Sequence, residues 1–553
     1  MTQPLPLVLP WTEWYWTSGA DGKLRVQGCS SCDALIHPSK PICHLCGSRD
    51  LAVRELSGRG TLFGFTINHH FPFPGVTNPF AVAQVALEED PRVKLTTRVV
   101  EAEPDTLRLG MAMEVVFEQV DDVWLPLFRP SAQQPAEPAP LPEDEEPVER
   151  IRTLVRPRLG TRKFEDDAVL SGVGASKVGR RQMVDPLSLT VDACQAAVAD
   201  AGLTMADIDG LSTYPGGGVE SGFSEGGVTA LEAALRIRPT WYNGGGETFG
   251  PGGSVIAAML AVSAGLARHV LCFRTLWQSS QETLARQGYF GGGGRMRIGG
   301  DMGWGMPFGA TSAAHLLAQT ANRYMHKYGA TRETLGWIAL NQRANAALNP
   351  TAVYRDPMTM DDYLGARMVT TPFGLYDNDV PIDGSIAVIV SAADAVGDLA
   401  KPPVRIEAVG TQLIERMEWD QSTSTHEPQV FGPAAHMWTR TDLRPDDVDV
   451  ALLYDGFSFN CLSWLEGLGF CGVGEAKDFL DGGKNIARDG VLPLNTNGGQ
   501  LSHGRTHGMG LVQEAVLQLR KEAGDRQVHG ARTAVVSSGG LTPSGVLLLR
   551  TDS

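Results

Sequence analysis

The chain has 553 residues, of which 42% are apolar and 20% charged, and its net charge is −16. That length is too great for one hydrophobic core, so two or three domains are expected. The acidic balance, with an isoelectric point of about 5.3, argues against general binding of nucleic acid or anionic membranes.

The first residues, Met-Thr-Gln-Pro-Leu-Pro, lack the basic stretch of a secretory signal. The longest apolar helical stretch, around 255–267, is too short to cross a bilayer. A cytoplasmic protein without a membrane span is expected.

An aromatic segment, Trp11 to Trp16, precedes the pattern Cys29-x2-Cys32-x10-Cys43-x2-Cys46. Two such knuckles can bring four thiolates to one tetrahedral site that leaves no position for water or substrate, the pattern of structural zinc. Iron, or a pair of turns without metal, are the alternatives. Pro38, Pro41 and Gly47 suit the knuckle turns, and the metal would staple a module with little core of its own. Residues 60–68, 80–87, 93–100 and 113–118 are short runs rich in β-branched residues, separated by Gly, Pro and Asp. They predict a small antiparallel barrel. Residues 1–130 hold 11 Lys+Arg and 15 Asp+Glu, a net of −4, so the basic footprint of a nucleic-acid module is missing.

Residues 131–150 contain five prolines and a run of acids, and read as an extended, solvated linker. The expected division is a zinc ribbon and all-β module over 1–130, a linker over 131–165, and a large domain over 166–553 with halves of about 166–400 and 401–553. In the large domain, 169–174 reads as a strand and 188–201 as an amphipathic helix stopped by Gly202. Residues 269–274 read as a buried strand. This alternation predicts an α/β domain of parallel sheets covered by helices. Residues 206–214 (ADIDGLSTY) resemble 446–454 (DDVDVALLY). A Gly-rich loop, a helix and an apolar strand follow in each half, over 250–274 and 498–538. Duplication explains this order; chance recurrence of Asp-x-Asp before a strand is the alternative. Gly291-Gly-Gly-Gly-Arg295 lacks the Lys and Ser/Thr of a phosphate loop. With Gly299 to Gly309 it reads as a mobile loop near the substrate mouth or a subunit interface. Cys194, Cys272, Cys461 and Cys471 are scattered in apolar contexts and suggest no disulfide framework.

Two resemblances follow from particular residues. The four ribbon cysteines, Gly58-Arg-Gly-Thr61, Thr66 with Asn68, Pro79-Phe80 and Leu125-Pro-Leu-Phe-Arg-Pro130 resemble rubredoxin-like zinc ribbons joined to OB-fold domains. That family accompanies thiolase-like and acyl-CoA hydratase proteins. The likeness implies a scaffolding or channelling role toward acyl-CoA or a partner enzyme, with an acyl-CoA hydratase as candidate. The large domain resembles the sterol-carrier-protein-type thiolases and lipid-transfer proteins. The matching runs are 173–180, 207–211, 349–355, Asp383-Gly384, Tyr454-Asp-Gly-Phe457, 465–470, Gly474-Glu475 and 492–508. This likeness implies the duplicated thiolase-type βαβ fold and a homodimer.

A thiolase carries a nucleophilic Cys at the N-terminus of a buried helix, where the dipole and backbone N–H groups lower the thiol pKa. The corresponding helix here, 254–265, follows Thr248-Phe-Gly-Pro-Gly-Gly253 without a Cys, and Ser254 reads as its N-cap. Ser537-Ser-Gly-Gly540, near the second thiolase cysteine, has none either. Cys272 reads as core, and Arg505 stands where thiolases place their catalytic His. Tyr454-Asp-Gly-Phe457 and His507-Gly508 resemble the lipid-transfer-protein aldolases of steroid side-chain degradation.

That likeness implies retro-aldol cleavage of a β-hydroxyacyl-CoA without an acyl-enzyme. Such cleavage needs a base for the hydroxyl, an acid for the carbanion and a stabilised enolate oxygen. In that family one Tyr from each of two motifs handles protons. Tyr454 matches the first, and Arg505 stands at the second. Arginine does not act as a base at neutral pH, so Arg505 stabilises an oxyanion, binds CoA phosphate, or pairs with a carboxylate of a dimer partner. His503 and His507 are then the candidates for base or proton donor, with helix capping the alternative for His507. Two other functions stay open: an acyltransferase or Claisen enzyme with an unusual nucleophile, and a non-catalytic acyl-CoA or lipid carrier.

Overall fold

The computed structural model describes residues 3–551 except 72, 135–140, 142–147, 215–221, 225, 246–247, 249, 290–295, 416–422 and 540–543. The ribbon is a three-stranded antiparallel sheet of β1 (Leu24–Cys29), β2 (Leu35–Ile36) and β3 (Leu51–Leu56), in the order β2-β1-β3. The barrel follows as β4 (Arg59–Asn68), β5 (Phe80–Leu87), β6 (Lys94–Arg98), β7 (Ala112–Val120) and β8 (Val123–Pro130). β4, β5 and β6 form a meander, and β7 pairs with both β4 and β8. A bridge from Val99 to Phe128 sets β8 beside the end of β6 and closes the barrel. Leu62, Val85, Leu95 and Phe128 fill it. The four β-branched runs of the sequence all lie in these strands.

Most of the Pro-rich segment lies outside the described residues, but its end is not extended. A short helix, Val148–Thr153, buries Ile151 in the core of the large domain. Val148 and Ile151 are three apart and share one helical face, which lifts this end out of the solvated linker.

The large domain begins with β9 (Ala168–Ala175), α1 (Pro186–Ala201), β10 (Gly210–Thr213), β11 (Trp241–Asn243) and α2 (Gly250–Ser263). It continues with β12 (His269–Trp277), α3 (Gln278–Arg286), α4 (Ala313–Tyr328), α5 (Arg332–Ala347), β13 (Met368–Thr370), β14 (Phe373–Gly374) and β15 (Asp383–Ala392). The second half holds β16 (Val404–Gly410), α6 (Phe431–Trp438), β17 (Val450–Leu452), α7 (Ser458–Gly467), α8 (Met509–Leu519), β18 (Thr533–Ser538) and β19 (Gly545–Arg550). One nine-stranded sheet runs β11-β10-β12-β15-β9-β16-β19-β18-β17. α2 and α8 cover one face and α1 and α6 the other.

The sheet is mixed, not parallel. β10 is parallel to β11 and β12, and β17 to β18, whereas the six strands from β12 to β18 in the sheet order pair antiparallel. The sequence hides this direction, because helices cover both faces and central strands such as β15 and β19 read as apolar runs.

The duplication is real and has a physical basis in its Asp-x-Asp signature. Asp209 accepts the backbone N–H groups of Arg268 and His269 at 2.8–2.9 Å, fastening β10 to the start of β12. Asp449 accepts those of Arg532 and Thr533 at 2.8 and 2.9 Å, fastening β17 to the start of β18. Asp207 and Asp447 each cap the short turn before the strand through Thr204 and Arg444 N–H. The same carboxylates do the same tasks in both halves.

The two modules share backbone pairing. Thr370 of β13 lies in register with Asn68 of β4, and Thr66 and Thr370 hydroxyls meet at 2.6 Å. The Arg323 guanidinium of α4 lies 3.7 Å from the Phe63 ring centre and donates to the Phe63 carbonyl. Residues 299–309 lie against the N-terminal aromatic segment. Trp304 packs 5.0 Å from both Tyr15 and Trp16, tying that segment to the N-terminal aromatics; Gly291 to Arg295 lie outside the described residues. No helix among the described residues is long and apolar enough to cross a membrane.

Candidate active site

The ribbon site is built by repetition. In each knuckle the residue after the second Cys, Asp33 or Gly47, takes a left-handed conformation and returns its N–H to the carbonyl of the first Cys. The four sulfurs lie within 4.8 Å of one another, with Cys29–Cys46 and Cys32–Cys43 both at 3.6 Å. A tetrahedron with Zn–S bonds of about 2.3 Å needs sulfurs about 3.8 Å apart, so the residues fit structural zinc.

The second polar centre lies where the halves of the large domain meet. Beyond β17, Leu453 exchanges two hydrogen bonds with the Asn495 side chain, at 2.7 and 2.8 Å. This laces the loop 495–508 to the strand end. Asp455 then anchors the loop's glycines. Its Oδ1 accepts the Gln500 N–H at 2.8 Å, and its Oδ2 lies 1.9 Å from where a Cβ on Gly499 would stand, at a φ of +57°. No other residue fits there. Asp455 is fully buried, and burial pushes its carboxyl up to about 7.

Tyr454 sits at the junction. Its N–H donates to Ser537 Oγ at 2.8 Å, and its ring lies among Gly456, Gly508 and Gly539. The phenol makes no hydrogen bond among the described residues. Burial, the largest influence, holds its pKa well above the usual phenol value despite the nearby Arg505. Tyr454 is thus a neutral phenol at pH 7.

The α2 N-terminus meets the same point, where a Cβ on Gly252 would stand 2.7 Å from Ser538 Oγ. Helix α2 begins at Gly250, so Ser254 is not its N-cap. It lies inside the first turns, buried, and its carbonyl accepts the Ser212 hydroxyl at 2.8 Å.

His507 has a φ of +53° and precedes Gly508, which lies against the Tyr454 ring. Its Nδ1 lies 2.9 Å from Nη2 of Arg274, the buried arginine near the end of β12. Phe223 and Tyr214 flank the imidazole, with ring centres at 5.6 and 6.4 Å. Burial first, then Arg505 and Arg274, hold its pKa well below the usual histidine value, so it is neutral. Gly508, not His507, caps α8.

Arg505 has its carboxylate partner in its own chain. Nε lies 3.0 Å from Asp379 Oδ2, Nη1 donates to Gln278 at 3.0 Å, and the guanidinium covers Phe223 at 5.2 Å. Asp379 is held by its own N–H to the Gly456 carbonyl. Burial raises its carboxyl to about 6, against the lowering influence of Arg505. The structure thus gathers Tyr454, His507 and Arg505. His503 stays outside: it is buried, its Nε2 lies 3.3 Å from Thr351 Oγ1, and burial lowers its pKa to about 4.

All eight cysteines are placed: four form the ribbon site, and Cys461 of α7 lies near Asp455, where burial holds its thiol well above the usual value. Cys272 is buried in β12, and burial pushes its thiol far up. Three residues of the centre escaped the sequence reading. Tyr214 carried a signal, since it ends the repeat at the place where Tyr454 ends its copy. Arg274 carried a weaker one, as a charge closing an apolar strand. Nothing local marks Asp379.

Comparison with known proteins agrees with this picture. Residues 16–52 match the ChsH2 rubredoxin-like zinc ribbon domain, 53–118 the ChsH2 C-terminal OB-fold domain, and 417–549 the thiolase C-terminal domain-like family. A steroid side-chain-cleaving aldolase of Thermomonospora curvata is 34% identical over 69% of this chain and 97% of its own. The chain belongs to the thiolase-like aldolase family. A 17-hydroxy-3-oxo-4-pregnene-20-carboxyl-CoA lyase of Mycobacterium tuberculosis is also 34% identical, over 69% of this chain and 98% of its own. A solved chain described as Ltp2-ChsH2(DUF35) aldolase superposes with a TM-score of 0.63 at 32% identity, covering 70% of this chain and 99% of that one. The aldolase resemblance of the sequence is upheld, and this family member is a lyase whose ribbon and OB-fold modules precede the thiolase-like part.

Proposed function

We propose that the protein cleaves a β-hydroxyacyl-CoA with a bulky, steroid-like acyl group by a retro-aldol step. The observation that carries this reading is a polar centre with a neutral phenol and a neutral imidazole, and no cysteine at the α2 N-terminus or beside Ser537. Asp379, largely ionised at pH 7, takes the proton of the β-hydroxyl. The Cα–Cβ bond breaks, leaving a ketone or aldehyde and the enolate of the shorter acyl-CoA. His507 and the α2 N-terminus donate hydrogen bonds to the enolate oxygen. Tyr454 then protonates Cα, and solvent returns the Asp379 proton to the phenolate. Arg505 holds Asp379 in place. This assignment moves the base from His503 and His507 to Asp379, because a neutral imidazole whose Nδ1 is engaged by Arg274 offers a donor, not an acceptor.

Incubation with β-hydroxyacyl-CoAs, followed by mass spectrometry, tests the reading. Carbonyl product plus shortened acyl-CoA supports it. A trapped acyl-enzyme points to an acyltransferase, and binding without turnover to a carrier.

The proposal extends to assembly. β11 is an open edge of the nine-stranded sheet with Tyr242 exposed, which suits pairing with a second copy. A homodimer is expected, and a monomer at micromolar concentration in light scattering refutes it. We assign residues 1–130 to ribbon with OB fold, 131–165 to a linker whose helix Val148–Thr153 packs on the large domain, and 166–553 to the aldolase domain. The first of these is the expected dock for a hydratase that supplies the β-hydroxyacyl-CoA, in the cytoplasm.

A further inference from the structure

Arg274 occupies a place the duplication leaves asymmetric. Ser212 of β10 pairs with Cys272, and Leu452 of β17 pairs with Val536. Two residues farther along stand Arg274 in the first half and Ser538 in the second. The serine makes room for the α2 N-terminus, as its contact with the Gly252 position shows. The arginine reaches across the junction into the other half.

Its environment is specific. The side chain is buried, with 2% exposed. Nη1 donates to the Tyr214 carbonyl, and the guanidinium lies 4.9 Å from the centre of the Tyr214 ring. Nη2 points at Nδ1 of His507 at 2.9 Å. A guanidinium has donors only and does not lose its proton in a protein. The imidazole nitrogen facing it therefore supplies the lone pair, and the ring proton of neutral His507 belongs on Nε2. That nitrogen makes no hydrogen bond among the described residues, and His507 is only half-buried. Arg274 and Arg505 are the charged groups that face the ring, and Asp379 sits on Arg505.

We propose that Arg274 is a positioning residue that fixes His507 as the Nε2–H tautomer, so that a hydrogen-bond donor, and not a lone pair, faces the reacting thioester oxygen. Tyr214, beneath the guanidinium, holds Arg274 in line. A tautomer set from outside matters because the two neutral forms of imidazole are close in energy, and the hydrogen bond at one nitrogen decides which the other adopts. The inference rests on the retro-aldol reading for its catalytic consequence, but not for the tautomer itself.

The test uses the full-length, zinc-loaded protein with 15N-labelled histidine. In the wild type, His507 should show one neutral species protonated at Nε2 between pH 6 and 8. Arg274→Met removes the donor while keeping the length of the chain. It should bring in the Nδ1–H form and lower kcat by about tenfold or more, with KM within about threefold. Arg274→Gln, whose amide can still donate to Nδ1, should restore the tautomer and most of kcat. If Arg274→Met does not fold, as a melting curve will show, Arg274→Gln compared with Arg274→Leu decides.

A wild-type His507 that is Nδ1–H or doubly protonated at pH 7 overturns the inference. So does an Arg274→Met protein that keeps both the Nε2–H signal and kcat. Absence of cleavage by the wild type on every β-hydroxyacyl-CoA sinks the functional reading instead, while the tautomer is still decided by the nitrogen shifts.

Discussion

Tyr454→Phe removes one oxygen from a ring that stays in the same bed. The hydroxyl has no hydrogen-bond partner among the described residues, and the ring is packed by Gly456, Gly508 and Gly539. Stability should therefore change by less than about 1 kcal/mol. Activity should change far more. A positioned general acid contributes roughly 100- to 10,000-fold, which at about 1.36 kcal/mol per tenfold is about 2.7–5.4 kcal/mol of barrier. The loss belongs in kcat, with KM within about threefold, because the phenol gives up its proton only as the bond breaks. Steady-state cleavage of a β-hydroxyacyl-CoA, followed by mass spectrometry beside a melting curve, reads both quantities. A variant that melts like the wild type and keeps kcat within about threefold refutes the assignment of Tyr454 as the acid.

Asp379 sets the acid limb of the pH profile. Its carboxyl is raised to about 6 in the free protein, so kcat/KM should fall as pH drops below about 6, and Asp379→Asn should remove both this limb and most of the activity. The same shift bears on stability. A raised folded-state value means this group's contribution is full below its unfolded value of 3.8 and is lost as pH rises through about 6. The melting temperature of Asp379→Asn relative to wild type should thus be more favourable at pH 7.5 than at pH 4.5. Purified protein should hold one zinc per chain by elemental analysis, and Cys29→Ser should lose it and destabilise the N-terminal module; metal-free wild type would end that assignment. Thiol alkylation with zinc kept bound should leave cleavage intact, since Cys194, Cys272 and Cys461 are buried; inactivation matched to labelling of one of these would restore a thiol to the mechanism.

What the sequence disclosed depended on how local the cause was. The four cysteines and the residues at Asp33 and Gly47 form their turns within a few positions, so spacing alone predicts the site. The barrel strands read clearly because β-branched runs are broken by Gly, Pro and Asp. The Asp-x-Asp repeat was legible because one carboxylate must meet two N–H groups of a neighbouring strand in each half. Strand direction was not, because apolar runs look alike whichever way they point; Val270 in β12, Val388 in β15 and Ile406 in β16 are all buried. Ser254 misled because serine favours N-caps, while here its helix starts four residues earlier on glycines. Asp379 was beyond reach and Arg274 only faintly marked, since their partners Arg505 and His507 lie far along the chain, in the other half of the domain.

The duplication itself explains where the centre lies. Both halves end the same strand in a tyrosine, Tyr214 and Tyr454, and both send a helix N-terminus toward the middle of the sheet. Were the halves identical, the two ends would offer the same groups to opposite sides of a substrate. They differ at single positions. Tyr214 lies beneath Arg274, whereas Tyr454 has glycines around its ring. A cation over one ring and a dry bed around the other give two tyrosines of the same fold different tasks. On the proposed reading, one holds an arginine against His507, and the other gives up its proton once the carbon–carbon bond has broken. On that reading the thiolase cysteine is not needed. An acyl group need not be held covalently when the bond to be broken is already β to a hydroxyl, and a buried phenol and a neutral imidazole suffice to receive the enolate.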